Sequence, residues 1–519
     1  MATVIVDFQN CFIFVLICFF SLLCYSLLFR KPTVLRVDFD LPPSPPSLPI
    51  IGHLHLLLSV LIHRSLQKLS SKYGSILYLR IFSFPIVIVS SASIAYEIFR
   101  AHDVNISSRG FPPTDDSLFA GSFSFISAPY GDYWKLMKKL LVTNMLGPQA
   151  LERSRRVRAD ELDRFYKNLF DKAMKKESVE ICEEALELTN NSICKLIMGR
   201  CCSVEKGAVE RFKDLATELD VLTKKLLLAN MLPARFKKLV VSLFKKELMV
   251  FSDSFDELLE MILVEHEEKQ DELHQGTDLM DVLLAAYGDV NAEHKFTRKH
   301  IKSFLADLLF AGTTTSVQTI QWTMAEIFNN PKTLERLREE LDSVLGTRRL
   351  IQETDLQNLP YLQAVVKEGL RLHPPGPLFG RFSQEGCRIG GFYVPEKTSL
   401  MVNAYAVMRD SHYWVDPEEF KPERFLASGQ EEERKEQALK YIPFGSGRRS
   451  CPGENLAYIF IGTAIGVMVQ GFEWSIKVEK VNMKEAVVGL TLIMAHPLKL
   501  TPIARTLNPL TLNLKSCGS

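Results

Sequence analysis

The chain has 519 residues, 47% hydrophobic and 24% charged, the balance of an ordinary folded globular protein. A net charge of +1 excludes a global field that would draw nucleic acid or a strongly acidic partner. The ten cysteines lack the dense regular spacing of a disulfide scaffold and include no CxxC pair, so a stapled fold and a structural zinc site are set aside and a reducing compartment is favoured.

From Phe8 to Phe29 there is no charged residue, a run of about 22, long enough to span a hydrocarbon core as a helix. Arg30, Lys31 and Arg36 follow it, which orients the body of the protein to the cytosol. A cleaved signal peptide would need a positive segment before the run; only Asp7 stands close there, so a retained anchor is favoured, with the endoplasmic reticulum as its default membrane. The sequons at Asn105 and Asn190 would then stay unmodified. Next comes Leu41–Pro49 with five prolines, either a stiff extended hinge or a plain linker.

Two β-rich stretches follow, Ser75–Ile81 and Pro85–Ser90, and most of the remainder reads as helix. Lys245–Glu272 has the charged periodicity of an exposed amphipathic helix. Leu226–Leu232 is apolar and stops at Pro233; together the two could touch a membrane, roof a cavity or simply pack. Thr297 is placed to cap a long helix that Pro331 ends, roughly 32 residues or about 48 Å. It is apolar through most of Phe304–Ala311, so it must cross the core. At its middle, Ala311-Gly312-Thr313-Thr314-Thr315-Ser316 is a poor helix former, where hydroxyls can return to carbonyls and a small molecule can approach.

The chemistry-bearing stretch is Pro443-Phe444-Gly445-Ser446-Gly447-Arg448-Arg449-Ser450-Cys451-Pro452-Gly453. Its glycines allow a tight loop, Pro452 suits the first turn of a helix, and Leu456–Val469 continues as an apolar one. Cys451 therefore falls at a helix N-terminus with Arg449 close by, both favouring a thiolate that can serve as a metal ligand.

Phe444-x-x-Gly447-x-Arg449-x-Cys451-x-Gly453 resembles the haem-binding signature of the cytochrome P450 family, and other motifs stand in the family's order. Glu368 and Arg371 resemble its ExxR pair, and Arg424 in Pro422-Glu423-Arg424-Phe425 its third structural partner. Ala311–Ser316 resembles the oxygen-binding motif, and Trp134-x-x-x-Lys138 a propionate-contacting element. The run Asn403–Asp410 and the Pro-rich hinge resemble the plant microsomal clan of specialised metabolism, within it the crucifer subfamily of thalianol-type triterpene oxidases.

The resemblance implies a mainly α fold with small β-sheets (α+β): an anchor at 8–29, a hinge at 30–52 and a haem-thiolate catalytic domain at 53–519. It implies haem b ligated by Cys451, electrons from NADPH through a membrane-bound reductase, and oxidation of C–H bonds in a lipophilic metabolite such as a triterpenoid or flavonoid. Trp134, Lys138, Arg381, Phe444, Gly447, Arg449 and Gly453 would hold the haem; Thr315, with Thr314, would serve oxygen activation. Leu118, Phe119, Phe125, Leu308, Ala311, Leu378, Phe379, Leu490 and Leu492 would face the substrate. Thr314 stands where the family usually carries an acid, Lys138 replaces an arginine, the hinge lacks its usual glycine, and the stretch before Arg381 is one residue short. A haem-thiolate isomerase or dehydratase needing no reductase is the alternative, and a catalytically silent haem protein a third reading.

Overall fold

The structure, a computed structural model, describes residues 40–57, 59–82, 84–109, 124–199, 215, 218, 221–226, 228–232, 234–268, 278–288, 296–346, 349–426, 440–476 and 478–505. Among these residues it is mainly helical with four small sheets. The 32-residue helix Arg298–Asn329 runs through its middle. Thr297 caps it: the Thr297 hydroxyl accepts from the His300 amide while the His300 ring accepts from the Thr297 amide. Pro331 opens the next helix, Pro331–Leu345, where its missing N–H costs nothing.

Two apolar clusters share the long helix. Its C-terminal half, with Val317, Ile320, Trp322 and Met324, packs against Pro331–Leu345, Pro360–Leu372 and Glu454–Gly471. Its N-terminal half, with Phe304, Leu305 and Leu309, packs against Lys245–Glu268 and Asp132–Leu141. Lys245–Glu268 is amphipathic as its sequence predicts, burying Leu248, Phe251, Phe255, Leu259 and Leu263 while Lys246, Asp253, Glu257 and Glu268 are exposed, although Met249, Val250 and Val264 are exposed with them. The residues after 268 in that stretch lie outside the described residues.

The largest sheet has four strands in the order Ile76–Ile81, Phe84–Val89, Ser399–Asn403, Leu378–Phe382. The outer pairings are antiparallel and the middle one parallel. The last strand carries Phe379 and Arg381 to the edge of the central cavity. Residues 40–52 lie along this sheet: the Tyr78 amide donates to Pro43 O at 2.8 Å and Gly52 bridges to Ile81. Among the described residues no helix is long and apolar enough to cross a membrane, and the expected anchor at 8–29 lies outside them.

Behind the cavity, Glu368 and Arg371 form a fully buried bidentate pair, with contacts of 2.7 and 2.9 Å. Arg371 also donates to the carbonyls of Met408, Pro417 and Glu419. Arg424 Nε reaches Glu368 Oε1 at 3.0 Å. The three residues are thus brought together, and each side chain is further satisfied by backbone, the condition under which a buried ion pair is tolerated.

Candidate active site

The loop before Cys451 is shaped by two glycines in the left-handed region, Gly445 at φ 70° and Gly447 at φ 74°. A Cβ on Gly447 would meet Asp103 Oδ1 at 2.2 Å, and Asp103 in turn accepts from the Arg448 amide at 3.0 Å. Gly447 therefore seats the loop on Asp103 and does not line the cavity. The Cys451 amide donates to Phe444 O at 2.9 Å, closing the turn, and the Phe444 ring meets Tyr458 edge-on.

The helix beyond starts at Glu454, later than Pro452, because Gly453 holds the N-cap position at φ −90°, ψ 10°. Burial pushes the Cys451 thiol above its ordinary range, against the pull of the Gly453 N–H and the charge of Arg109. Arg449 is not the cation acting on the sulfur: its guanidinium is turned to Ser107 O, Ala128 O and the Trp134 ring. Metal coordination would deprotonate such a thiol outright.

Cys451 opens into a cavity of about 380 Å³ whose opposite wall is the long helix, with Leu308, Ala311, Gly312 and Thr315. The helix stays continuous through its threonines because the hydroxyls bond backward: Thr313 to Leu309 O at 2.8 Å and Thr315 to Ala311 O at 2.9 Å. Thr314, on another face, is exposed and is not among the lining residues. Phe444 and Gly453 line the cavity on the Cys451 side. Trp134 and Lys138 also line it; the Lys138 ammonium donates to Arg448 O at 2.9 Å and lies 5.1 Å from the Trp134 ring centre.

Of the residues expected to face substrate, Phe125, Leu308, Ala311 and Phe379 line this cavity. Leu378, Leu490 and Leu492 do not: Leu378 packs against the Ile76–Val89 hairpin, Leu490 is exposed beside the turn at Gly489, and Leu492 is buried with its amide on Pro375 O. Leu118 and Phe119 lie outside the described residues.

Two charged lining residues escaped the sequence reading. Arg109 joins Arg381 and Arg449 in a trio of buried or half-buried guanidiniums, and among the described residues none of the three has a carboxylate ion-pair partner. Burial, then the charges of Arg109 and Arg449, pushes Arg381 down to about 9. Burial, then Arg109, pushes Arg449 down to about 10. Among the described residues the buried Arg109 Nε has no hydrogen-bond partner. Such a trio calls for an anion, and a flat cofactor with two carboxylates over a cysteine sulfur fits the donor set. Nothing in the spacing around Ser107-Ser108-Arg109 marks Arg109 out. Asp307 is the second; the signal for it was a lone charge inside the apolar run Phe304–Ala311.

Fold and site together fit a haem-thiolate class of protein. The comparisons make it specific: residues 42–501 match the cytochrome P450 family model, and the chain belongs to the cytochrome P450 family. It is 65% identical over 507 residues to cytochrome P450 705A22 of Arabidopsis thaliana, covering 97% of this chain and 98% of that one. It is 64% identical over 506 residues to cytochrome P450 705A5 of the same plant, covering 97% and 99%. Against 3,9-dihydroxypterocarpan 6A-monooxygenase of Glycine max the identity is 38% over 510 residues, covering 95% and 98%. A zebrafish cytochrome P450 solved with abiraterone shares the fold at a TM-score of 0.70 and 24% identity, covering 85% of this chain and 99% of that one. The expected subfamily is the one these relatives represent, and the protein is an oxidoreductase of the monooxygenase family.

Proposed function

We propose that the protein is a microsomal monooxygenase that oxidises a C–H bond of a lipophilic plant metabolite, of the triterpenoid or flavonoid kind, with Cys451 as the axial ligand of haem b. The observation that carries the reading is the opening of the Cys451 sulfur and Thr315 into one cavity that Arg109, Arg381 and Arg449 also line. When bound, the haem supplies reductive activation of dioxygen, with electrons from NADPH delivered by a membrane-bound flavoprotein reductase.

The chain's own residues do the rest. Arg109, Arg381, Arg449, Lys138 and Trp134 would hold the cofactor's carboxylates. The Thr315 hydroxyl now donates to Ala311 O at 2.9 Å; rotated about χ1, it offers a proton donor and two acceptor lone pairs to the cavity. Ser316 and Thr319 line the same cavity and extend the hydroxyl set for proton delivery. Phe125, Leu308, Ala311 and Phe379 supply apolar wall that excludes water and receives a lipophilic skeleton. The relative whose name gives 3,9-dihydroxypterocarpan as substrate supports that substrate class. Residues 8–29 anchor the protein in the endoplasmic reticulum membrane, and the catalytic body, which takes residues 40–52 of the expected 30–52 hinge onto its sheet, stands in the cytosol.

The test is a reduced-plus-carbon-monoxide difference spectrum of wild type and Cys451→Ala. A Soret band near ~450 nm in wild type, lost in the variant, is the expected result. A folded wild type with no haem, or with a band near ~420 nm, would return Cys451 to a structural role.

A further inference from the structure

We propose that Asp307 is a positioning residue whose buried carboxylate clasps the backbone of residues 124–126 to the long helix and thereby fixes Phe125, and through it Trp134, in the cavity wall. The inference rests on reading this cavity as the active site.

Among the described residues, Asp307 is the one acidic side chain lining the cavity, and it is 8% exposed. A carboxylate in that position is costly unless several donors meet it. It forms no ion pair among the described residues. The Ser124 hydroxyl lies 3.0 and 2.9 Å from its two oxygens. The Ile126 amide donates at 3.2 Å, and the Phe125 amide is turned to it as well. All these donors come from one three-residue stretch, so the carboxylate acts as a template for loop backbone. They also fill most of the acceptor capacity of a carboxylate, about four lone-pair sites, which argues against Asp307 as a free anchor for a substrate cation or hydroxyl.

The clasp has a lever. Phe125 lines the cavity, stacks on Trp134 at 5.7 Å and 5°, and meets Phe304 edge-on at 5.7 Å and 90°. Trp134 in turn carries the Arg449 guanidinium 4.4 Å from its ring centre. Ala311 and Thr315 follow Asp307 at one and two helical turns and line the same cavity. Residue 307 thus registers the loop to the helix face that carries Thr315. Burial pushes its carboxyl up to about 6, against the Ile126 amide, Ser124 and Phe125 hydrogen bonds and the charge of Arg109. An asparagine in its place keeps an oxygen for the amides and offers an N–H₂ to the Ser124 oxygen.

Asp307→Ala, Asp307→Asn and Ser124→Ala in the full-length holoenzyme separate the possibilities. Haem content and the carbon-monoxide band are read first. Hydrogen exchange of amides 125–127 and the affinity for 4-phenylimidazole by difference spectrum are read next. Asp307→Ala is expected to exchange at Ile126 about tenfold faster and to bind the azole about fivefold more weakly. Ser124→Ala should shift both about threefold, and Asp307→Asn less than about twofold. An Asp307→Asn protein as impaired as Asp307→Ala would overturn the clasp in favour of a charge-based role. Unchanged exchange in Asp307→Ala would overturn it as well. If Asp307→Ala does not fold, Ser124→Ala against Asp307→Asn decides, with equal impairment of the two counting against the proposal. Loss of the thiolate band from every protein, wild type included, would strike the active-site reading while the exchange data still report on the clasp.

Discussion

At the scale of single residues, the site is organised by three guanidiniums that no carboxylate among the described residues pairs. Arg109 depresses both Arg381 and Arg449, second only to burial in each case. Arginine keeps its proton in proteins, so the cost falls on the folded state until a dianion arrives. Arg109→Gln should therefore act in opposite directions. It should raise the stability of the haem-free protein by about 1 kcal/mol and weaken haem retention about tenfold. Thermal melts of the haem-free protein and haem transfer to apomyoglobin measure the two; a variant less stable and less retentive together would contradict the repulsion argument. Cys451 was legible because its signature is contiguous, from Phe444 to Gly453. Arg109 was not, because it follows the lone bridge residue Ser108 and its neighbours in the sequence carry no period. Asp307 lay between these cases, visible as an oddity in an apolar run but without a partner until the fold brought Ser124 beside it.

At the scale of elements, helices were readable where capping chemistry brackets them, as at Thr297 and Pro331. The hairpin of strands Glu485–Val488 and Thr491–Met494 was not, since its turn at Gly489 removes Leu490 from the alternation and the buried face of Leu492 belongs to another contact. What holds that hairpin is Glu485, met by His63 at 3.1 Å, Arg64 at 2.7 Å and the Tyr405 hydroxyl at 3.2 Å. Burial alone would raise its carboxyl, but the hydrogen bonds of His63 and Arg64 outweigh burial and hold it at about 2. A carboxyl depressed on folding adds stability that is present above its unfolded pKa and lost as pH falls through the folded one. Glu485→Gln should cost about 2 kcal/mol at neutral pH after allowance for solvent screening at Arg64. The difference from wild type should shrink as pH falls from about 4.5 toward 2. Denaturant midpoints of both proteins between about pH 3 and about pH 7 test this, and a difference that does not change with pH would refute the electrostatic origin.

At the scale of the whole molecule, the question is where the catalytic body begins. Composition divides the chain at the proline-rich stretch, but the bonding reaches further back. The Tyr393 amide donates to Asp40 O at 2.8 Å. His53, 2% exposed, joins the carbonyl of Pro45 to the amide of Arg80, each at 2.8 Å. The prolines therefore lie along the sheet as its outermost layer, a use their fixed φ and missing N–H favour. Two truncations should then differ sharply. Removing residues 1–39 takes away the apolar run and leaves every one of these contacts, so the shortened chain should leave the carbonate-resistant membrane fraction and keep its carbon-monoxide band. Removing residues 1–52 also strips the buried His53 ring of its Pro45 partner, which costs about 1–3 kcal/mol for the unpaired group alone, and should lower haem content and stability together. If the chain from residue 40 onward still resisted carbonate extraction, the segment 8–29 would not be what fixes the protein in the membrane; if it lost its haem, the body would depend on residues ahead of Asp40.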